Sequence, residues 1–119
     1  MFAPEKGYEE EYLGKPAVFL IPSSKLTRIE FSITSFLLKN YGHAWTKSTN
    51  VKGYWMGKLD GDYTRFEVSF IGKEKIPNLK NFLANIAYKI KEESIYLLCG
   101  SDAWKIYSQK KNTSKEPRK

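Results

Sequence analysis

Residues 51–71, VKGYWMGKLDGDYTRFEVSFI, are the stretch that decides the fold. The dipeptide Asp60-Gly61 is typical of a two-residue hairpin turn, and it separates two runs rich in aromatic and β-branched residues. In the second run, apolar or small residues alternate with polar ones from Thr64 to Phe70. We therefore predict two antiparallel strands, 51–58 and 63–71, with one face of the second strand buried.

The position of the turn also predicts the register of the two strands. With Asp60-Gly61 as the central turn residues, Trp55 lies opposite Phe66, and Tyr54 lies opposite Glu67. These two pairs point to opposite faces of the sheet. We expect Trp55 to lie in the core with Thr64, Phe66, Val68 and Phe70. The other face would carry Tyr54, Met56, Arg65, Glu67 and Ser69.

The flanking sequence supplies the remaining elements. An apolar run at 17–21 predicts a buried strand, and apolar residues at helical spacing from Leu26 to Tyr41 predict a helix that ends before Gly42. Residues 43–50 are predicted to form a loop. A second amphipathic pattern follows Pro77, and strands are predicted at 94–99 and 103–107. This βαββαβ order is that of an α+β ferredoxin-like sandwich with both helices on one sheet face, the other face open, and an additional C-terminal edge strand.

Length and charge indicate one domain with two short ends. In this chain of 119 residues we predict an irregular arm at 1–15, a single domain at 16–108 and a basic mobile tail at 109–119. The net charge is +7, from 20 basic and 13 acidic residues. The tail has five basic residues and one acidic residue, a net +4, which leaves +3 for the rest of the chain. Most of the charge that would suggest a nucleic-acid partner therefore lies outside the domain.

Two residue types are nearly absent, which excludes several kinds of site. Cys99 is the only cysteine and His43 the only histidine, so an internal disulfide, a Cys/His catalytic pair and a zinc site are excluded, and no metal site is expected. The sequence shows neither a secretory leader pattern nor an apolar run of membrane-spanning length. We expect a cytoplasmic protein.

The predicted open face suggests a binding site. Gly53 and Gly57 flank Tyr54-Trp55-Met56 and would let a ligand approach the backbone closely. Glu67 lies across the predicted hairpin, and the acidic Glu92-Glu93-Ser94 precedes the neighbouring strand. Carboxylates and aromatic faces both attract a desolvated cation, although a solvated cross-strand Tyr/Glu pair is the simpler structural alternative.

These residues resemble the phage S-adenosylmethionine lyases, formerly called hydrolases. The likeness consists of Gly53-Tyr54-Trp55, an acidic residue on the next strand at Glu67, a helix, and the run 92–97, EESIYL, that leads into the final strands. It spans residues 51–107. The resemblance implies a ferredoxin-like homotrimer with substrate held between subunits.

The resemblance also implies a reaction that needs no cofactor. In this family the carboxylate of S-adenosylmethionine attacks its own γ-carbon, which releases 5'-methylthioadenosine and leaves homoserine lactone. By this likeness Tyr54 and Glu67 would be catalytic, and Ser69, Glu92 and Ser94 would bind substrate. Tyr54 would orient the substrate and shield its sulfonium, while Glu67 would bind the ammonium or hold Tyr54. Destruction of this methyl donor would serve a phage as an anti-restriction activity.

Two other classes of function use the same open face. One is a non-catalytic phage-type module, a sponge or inhibitor, that differs from the lyase only in lacking turnover. The other is a nucleic-acid-binding domain that stacks bases on sheet aromatics. The second interpretation is weakened by Glu67, which repels phosphate, and by the absence of an RRM-like Lys/Arg-Gly-Phe-Gly-Phe motif. The sequence therefore favours a small cationic ligand without excluding either alternative.

Overall fold

The computed structural model describes residues 7–42 and 44–109. His43, the first six residues of the arm and all but Gln109 of the tail lie outside the described residues. The elements are β1 (Lys15–Pro22), a short 3-10 turn (Ser23–Lys25), α1 (Glu30–Tyr41), β2 (Thr46–Trp55), β3 (Lys58–Phe70), α2 (Lys75–Lys89), β4 (Ser94–Cys99) and β5 (Asp102–Tyr107). The chain is thus an α+β protein, as predicted.

The five strands form one antiparallel sheet in the order β2-β3-β1-β4-β5. This arrangement is compatible with a fold of the ferredoxin-like type, and β5 extends the sheet beyond β4. Both helices pack on the same face, because their buried residues join those of β1, β3 and β4 in a single core cluster. Phe19 and Phe66 stack at its centre with 5.2 Å between ring centroids.

The alternation along β3 is confirmed. Thr64, Phe66, Val68 and Phe70 are all buried, and Phe66 is completely inaccessible to solvent. Residues between them on the opposite face are at least partly accessible, and Arg65 and Glu67 form a salt bridge there with 3.0 Å between Nη2 and Oε1. The period-two pattern assigned the faces of β3 correctly because burial of these side chains is the main stabilising term for the strand.

The predicted hairpin register is wrong. The turn lies at Met56-Gly57, so Trp55 pairs with Lys58 and Tyr54 pairs with Leu59, whereas Glu67 pairs with Thr46. Both turn residues have positive φ, 52° at Met56 and 80° at Gly57, as a type I′ turn requires. Gly61 instead lies inside the ladder opposite Gly53. β2 therefore begins at Thr46, within the segment predicted to be a loop.

Close packing of Tyr63 on Gly53 accompanies the observed register. A Cβ atom at Gly53 would lie 2.5 Å from Cε1 of Tyr63, so any larger residue at this position would force the tyrosine ring to move. Lys52 also pairs with Asp62 on the neighbouring strand, with 2.7 Å between Nζ and Oδ1. The prediction of Trp55 as a core residue is wrong for the same reason, because in this register Trp55 lies beside the turn and is 66% exposed.

Candidate functional site

The tip of the β2-β3 hairpin bends over the sheet face that carries no helix. β2 and β5 are opposite edges of a five-stranded sheet, so a flat sheet would separate them by roughly 19 Å. Lys105 Nζ of β5 nevertheless lies only 5.9 Å from the centroid of the Trp55 ring. The ladder shifts register between Ser48 and Val51 and again between Gly53 and Tyr54, and such irregularities bend a hairpin. The predicted open face is therefore partly covered.

The bend encloses a pocket of about 340 Å³, which we call the hairpin pocket. One wall comes from the hairpin, the floor from β1 and β4, and the far side from β5. Its lining residues are Leu20, Pro22, Gly53, Tyr54, Trp55, Asp60, Tyr63, Glu92, Ser94, Ile95, Tyr96 and Lys105. The volume falls in the lower part of the range of small-molecule sites, and the mixture of aromatic walls with a few polar groups is typical of them.

One end of the hairpin pocket is acidic. Glu92 follows Lys91, whose φ of 60° turns the chain at the end of α2, and its backbone N–H donates to the carbonyl oxygen of Ala87 at 2.9 Å. The Glu92 carboxylate pairs with Lys25 from the 3-10 turn, with 2.5 Å between Oε2 and Nζ. This pair is about one-third exposed on both sides, so water screens it substantially.

The second acidic group at this end is Asp60. The hydroxyl of Tyr63 donates to Asp60 Oδ2 at 2.6 Å. The pKa of Tyr63 is raised to about 12, and this hydrogen bond is the largest cause. Partial burial and the nearby negative charges raise it further. The phenol is therefore a hydrogen-bond donor and remains neutral at physiological pH.

The structure divides the predicted site residues between two pockets. Tyr54, Glu92 and Ser94 line the hairpin pocket. Glu67 and Ser69 line a different pocket of about 420 Å³ near the start of β2, beside Tyr41 and Trp45. The predicted Tyr54/Glu67 pairing within one chain is thus wrong, because the turn lies at Met56-Gly57 rather than at Asp60-Gly61.

Several residues of the hairpin pocket were not predicted as site residues. Tyr96 could have been found, because it alternates with the buried Ile95 and Leu97 and so points to the same face as Ser94. Strand alternation also predicts that the side chains of Tyr63 and Lys105 lie on this face of the sheet. Trp55 could not have been found, since its position depends on the bend of the hairpin.

Within residues 7–42 and 44–109, no group of three or more His, Cys, Asp or Glu side chains is placed to hold a metal ion. Cys99 is buried, and burial is the main cause that raises the pKa of its thiol. Neither helix of the described part combines the length and the apolar character that a membrane span needs. The groups that line the hairpin pocket are aromatic rings, the hydroxyls of Ser94 and of three tyrosines, two carboxylates and one ammonium group.

Comparison with known proteins adds no relative to this picture. No known protein-family model, no curated protein and no solved structure matches this chain.

Proposed function

We propose that this protein binds S-adenosylmethionine in the hairpin pocket and cleaves it by intramolecular lyase chemistry. The observation that carries the proposal is the meeting of Tyr54, Glu92 and Ser94 around one pocket lined by further aromatic rings. These three residues come from Gly53-Tyr54-Trp55 and from the run 92–97, which are two of the features that carry the sequence resemblance to the lyases. The proposal includes a ferredoxin-like topology for β1 to β4, for which the strand order β2-β3-β1-β4 is the support.

The pocket suits the parts of this ligand. Tyr54, Trp55 and Tyr96 offer ring faces for the adenine and for the sulfonium, and cation–aromatic attraction strengthens when water is excluded. Asp60 and Glu92 supply negative charge for an ammonium group. Ser94 adds a hydroxyl that can both donate and accept a hydrogen bond.

The proposed reaction requires no nucleophile from the protein. An oxygen of the substrate carboxylate forms a bond to the γ-carbon, the bond from that carbon to sulfur breaks, and its electron pair stays on sulfur. The products are neutral 5'-methylthioadenosine and homoserine lactone, which keeps the ammonium group. The negative carboxylate and the positive sulfonium neutralise each other along this path. A pocket that excludes water and holds the substrate folded would therefore favour the reaction. Tyr54 orients the substrate and shields the sulfonium.

Glu67 has a changed role in this proposal. It lies in the second pocket, so it cannot hold Tyr54 of its own chain. Its carboxylate could reach the substrate only from a neighbouring subunit. The homotrimer with shared sites implied by the sequence resemblance provides that arrangement, and we retain Glu67 and Ser69 as residues contributed in this way.

The test is incubation of the purified protein with S-adenosylmethionine and detection of both products by mass spectrometry. Tyr54→Phe removes the hydroxyl by which Tyr54 would orient the substrate, and it should lower turnover by about tenfold or more with the fold retained. Tyr12→Phe is the matched control, because Tyr12 is exposed and lies outside both pockets. Full activity of Tyr54→Phe would remove Tyr54 from the mechanism. Absence of both binding and products in the unmodified protein would overturn the whole proposal.

A non-catalytic binding module is the second candidate. It is favoured by the location of Glu67, because the hairpin pocket of one chain holds binding groups without the carboxylate expected to act in catalysis. Saturable binding of S-adenosylmethionine without either product would select this candidate. In a phage, either sequestration or cleavage of the methyl donor would oppose methylation-dependent host defence.

A further inference from the structure

Lys105 is the one basic side chain among the described residues that line the hairpin pocket. It lies in the middle of β5 and pairs with Tyr96, so both side chains are on the pocket's side of the sheet. Within the described part of the chain, no carboxylate forms a salt bridge with it. Its ammonium lies 5.9 Å from the centroid of the Trp55 ring, which leaves its three N–H donors available to a ligand.

The acidic groups lie at the other end of the same pocket. Asp60, Tyr63 and Glu92 also line a neighbouring polar cleft formed with the 3-10 turn, together with Ser23 and Lys25. Neither Lys105 nor the aromatic residues Tyr54, Trp55 and Tyr96 line that cleft. The pocket is therefore bipolar, with carboxylates at the end next to the cleft and an ammonium at the β5 end.

We infer that Lys105 binds the carboxylate of a zwitterionic ligand whose ammonium group lies at the Asp60 and Glu92 end. This inference rests on the proposed function and adds a specificity-determining residue to it. A single Nζ contacts one carboxylate oxygen and leaves the other available, so the contact positions the group without occupying both of its oxygens. The ligand class selected is an amino acid with an apolar or aromatic extension, rather than a nucleoside alone.

The aromatic ring beside Lys105 strengthens this selection. The Lys105 ammonium lies 5.9 Å from the centroid of the Trp55 ring, and Tyr96 lines the same pocket. A ligand bound between these rings would displace water from the ammonium, and an ion pair is stronger where water is partly excluded. A ligand without a carboxylate would leave Lys105 with only the ring of Trp55 as a partner. The pocket should therefore discriminate against decarboxylated forms of the same ligand.

The experiment compares two ligands that differ only in the carboxylate, S-adenosylmethionine and decarboxylated S-adenosylmethionine. Binding is measured by calorimetry in the Tyr54→Phe background, in which turnover is suppressed. We expect the protein with Lys105 to prefer the carboxylated ligand by about tenfold or more. Lys105→Met should abolish this preference, and Lys105→Arg should retain most of it.

Lys58→Met is the matched control, because Lys58 is an exposed lysine of the same hairpin and does not line the pocket. It should leave the preference unchanged. If Lys105→Met binds both ligands and keeps the full preference, the role of Lys105 is overturned while the proposed ligand stands. If the parent protein binds neither ligand, both proposals fall. A thermal melt of each variant identifies any loss of affinity that comes from unfolding.

Discussion

The ring of Tyr63 lies against the backbone of Gly53, so closely that a Cβ atom at Gly53 would come within 2.5 Å of Cε1 of the ring. Gly53→Ala should therefore displace Tyr63 and destabilise the fold by about 1–3 kcal/mol, the usual cost of overpacking. It should also weaken binding in the hairpin pocket, because Gly53 and Tyr63 both line it. Denaturant unfolding and ligand calorimetry measure the two effects.

Gly61→Ala is the matched control for that substitution. Gly61 is the cross-strand partner of Gly53, its φ lies outside the positive region, and a Cβ atom there would meet no atom within 4 Å. The free energy of unfolding of the Gly61→Ala variant should differ from that of the parent protein by less than about 1 kcal/mol. Equal destabilisation by the two alanines would contradict the observed packing of Tyr63.

Phe66 and Trp55 were both predicted to lie in the core, but substituting them with alanine should have very different effects on stability. Phe66 is fully buried against Phe19, so Phe66→Ala should cost about 3–5 kcal/mol of unfolding free energy. Trp55 is 66% exposed, so Trp55→Ala should cost less than about 1 kcal/mol. Urea unfolding of both variants measures these costs, and a loss of several kcal/mol at Trp55 would favour the register with the turn at Asp60-Gly61.

The Tyr63–Asp60 hydrogen bond should appear in a tyrosine titration. Asp60→Ala removes the acceptor of this hydrogen bond, which is the largest cause of the raised pKa of Tyr63, so that pKa should fall from about 12 toward 10. The pKa of Tyr41, which burial chiefly raises to about 12, should not change and serves as the internal control. Carbon-13 NMR of labelled tyrosine rings follows the two residues separately.

The same pair has a consequence for stability at high pH. Because the folded-state pKa of Tyr63 lies above its ordinary value of 10, the stabilisation is fully present below pH 10 and is lost as the pH rises toward 12. Tyr63→Phe should remove this part of the pH dependence. An unchanged stability profile between pH 9 and 12 in Tyr63→Phe would show that the hydrogen bond does not couple to folding.

Deletion of residues 110–119 should separate the charge of the tail from the function of the domain. The deleted segment holds five basic residues and one acidic residue, so the net charge falls from +7 to +3. Any DNA binding by the full chain should be weak, should decrease steeply with salt, and should disappear in the truncated protein. Gel-shift titrations at two salt concentrations provide the measurement. Salt-resistant DNA binding by residues 1–109 would instead support the nucleic-acid interpretation.

Local patterns predicted the elements well where burial alone decides them. The apolar run at 17–21 predicted a buried strand, which is β1, and the alternation from Thr64 to Phe70 predicted the buried face of β3. Of the five site residues that the family resemblance implies, Tyr54, Glu92 and Ser94 line one pocket, and Glu67 and Ser69 line another.

The register of the hairpin could not be predicted in the same way. β2 is largely exposed and carries no alternation strong enough to favour one pairing over another, so two glycine-containing turns compete. Asp60-Gly61 has the more favourable local composition, but the observed pairing places Gly61 opposite Gly53 and Tyr63 on that glycine's backbone. That contact joins residues ten positions apart and depends on the whole ladder.

The sequence by itself determined the α+β class, the inward face of β3 and the location of most of the charge in the tail, because these depend on composition and on the period of burial. Only the tertiary structure decided which residues share a pocket. The bend of the hairpin brings Trp55 to Lys105 across the sheet and leaves Glu67 in a separate pocket. The physical reason is that a shift in strand pairing and a bulge alter side-chain positions without altering any local pattern in the sequence.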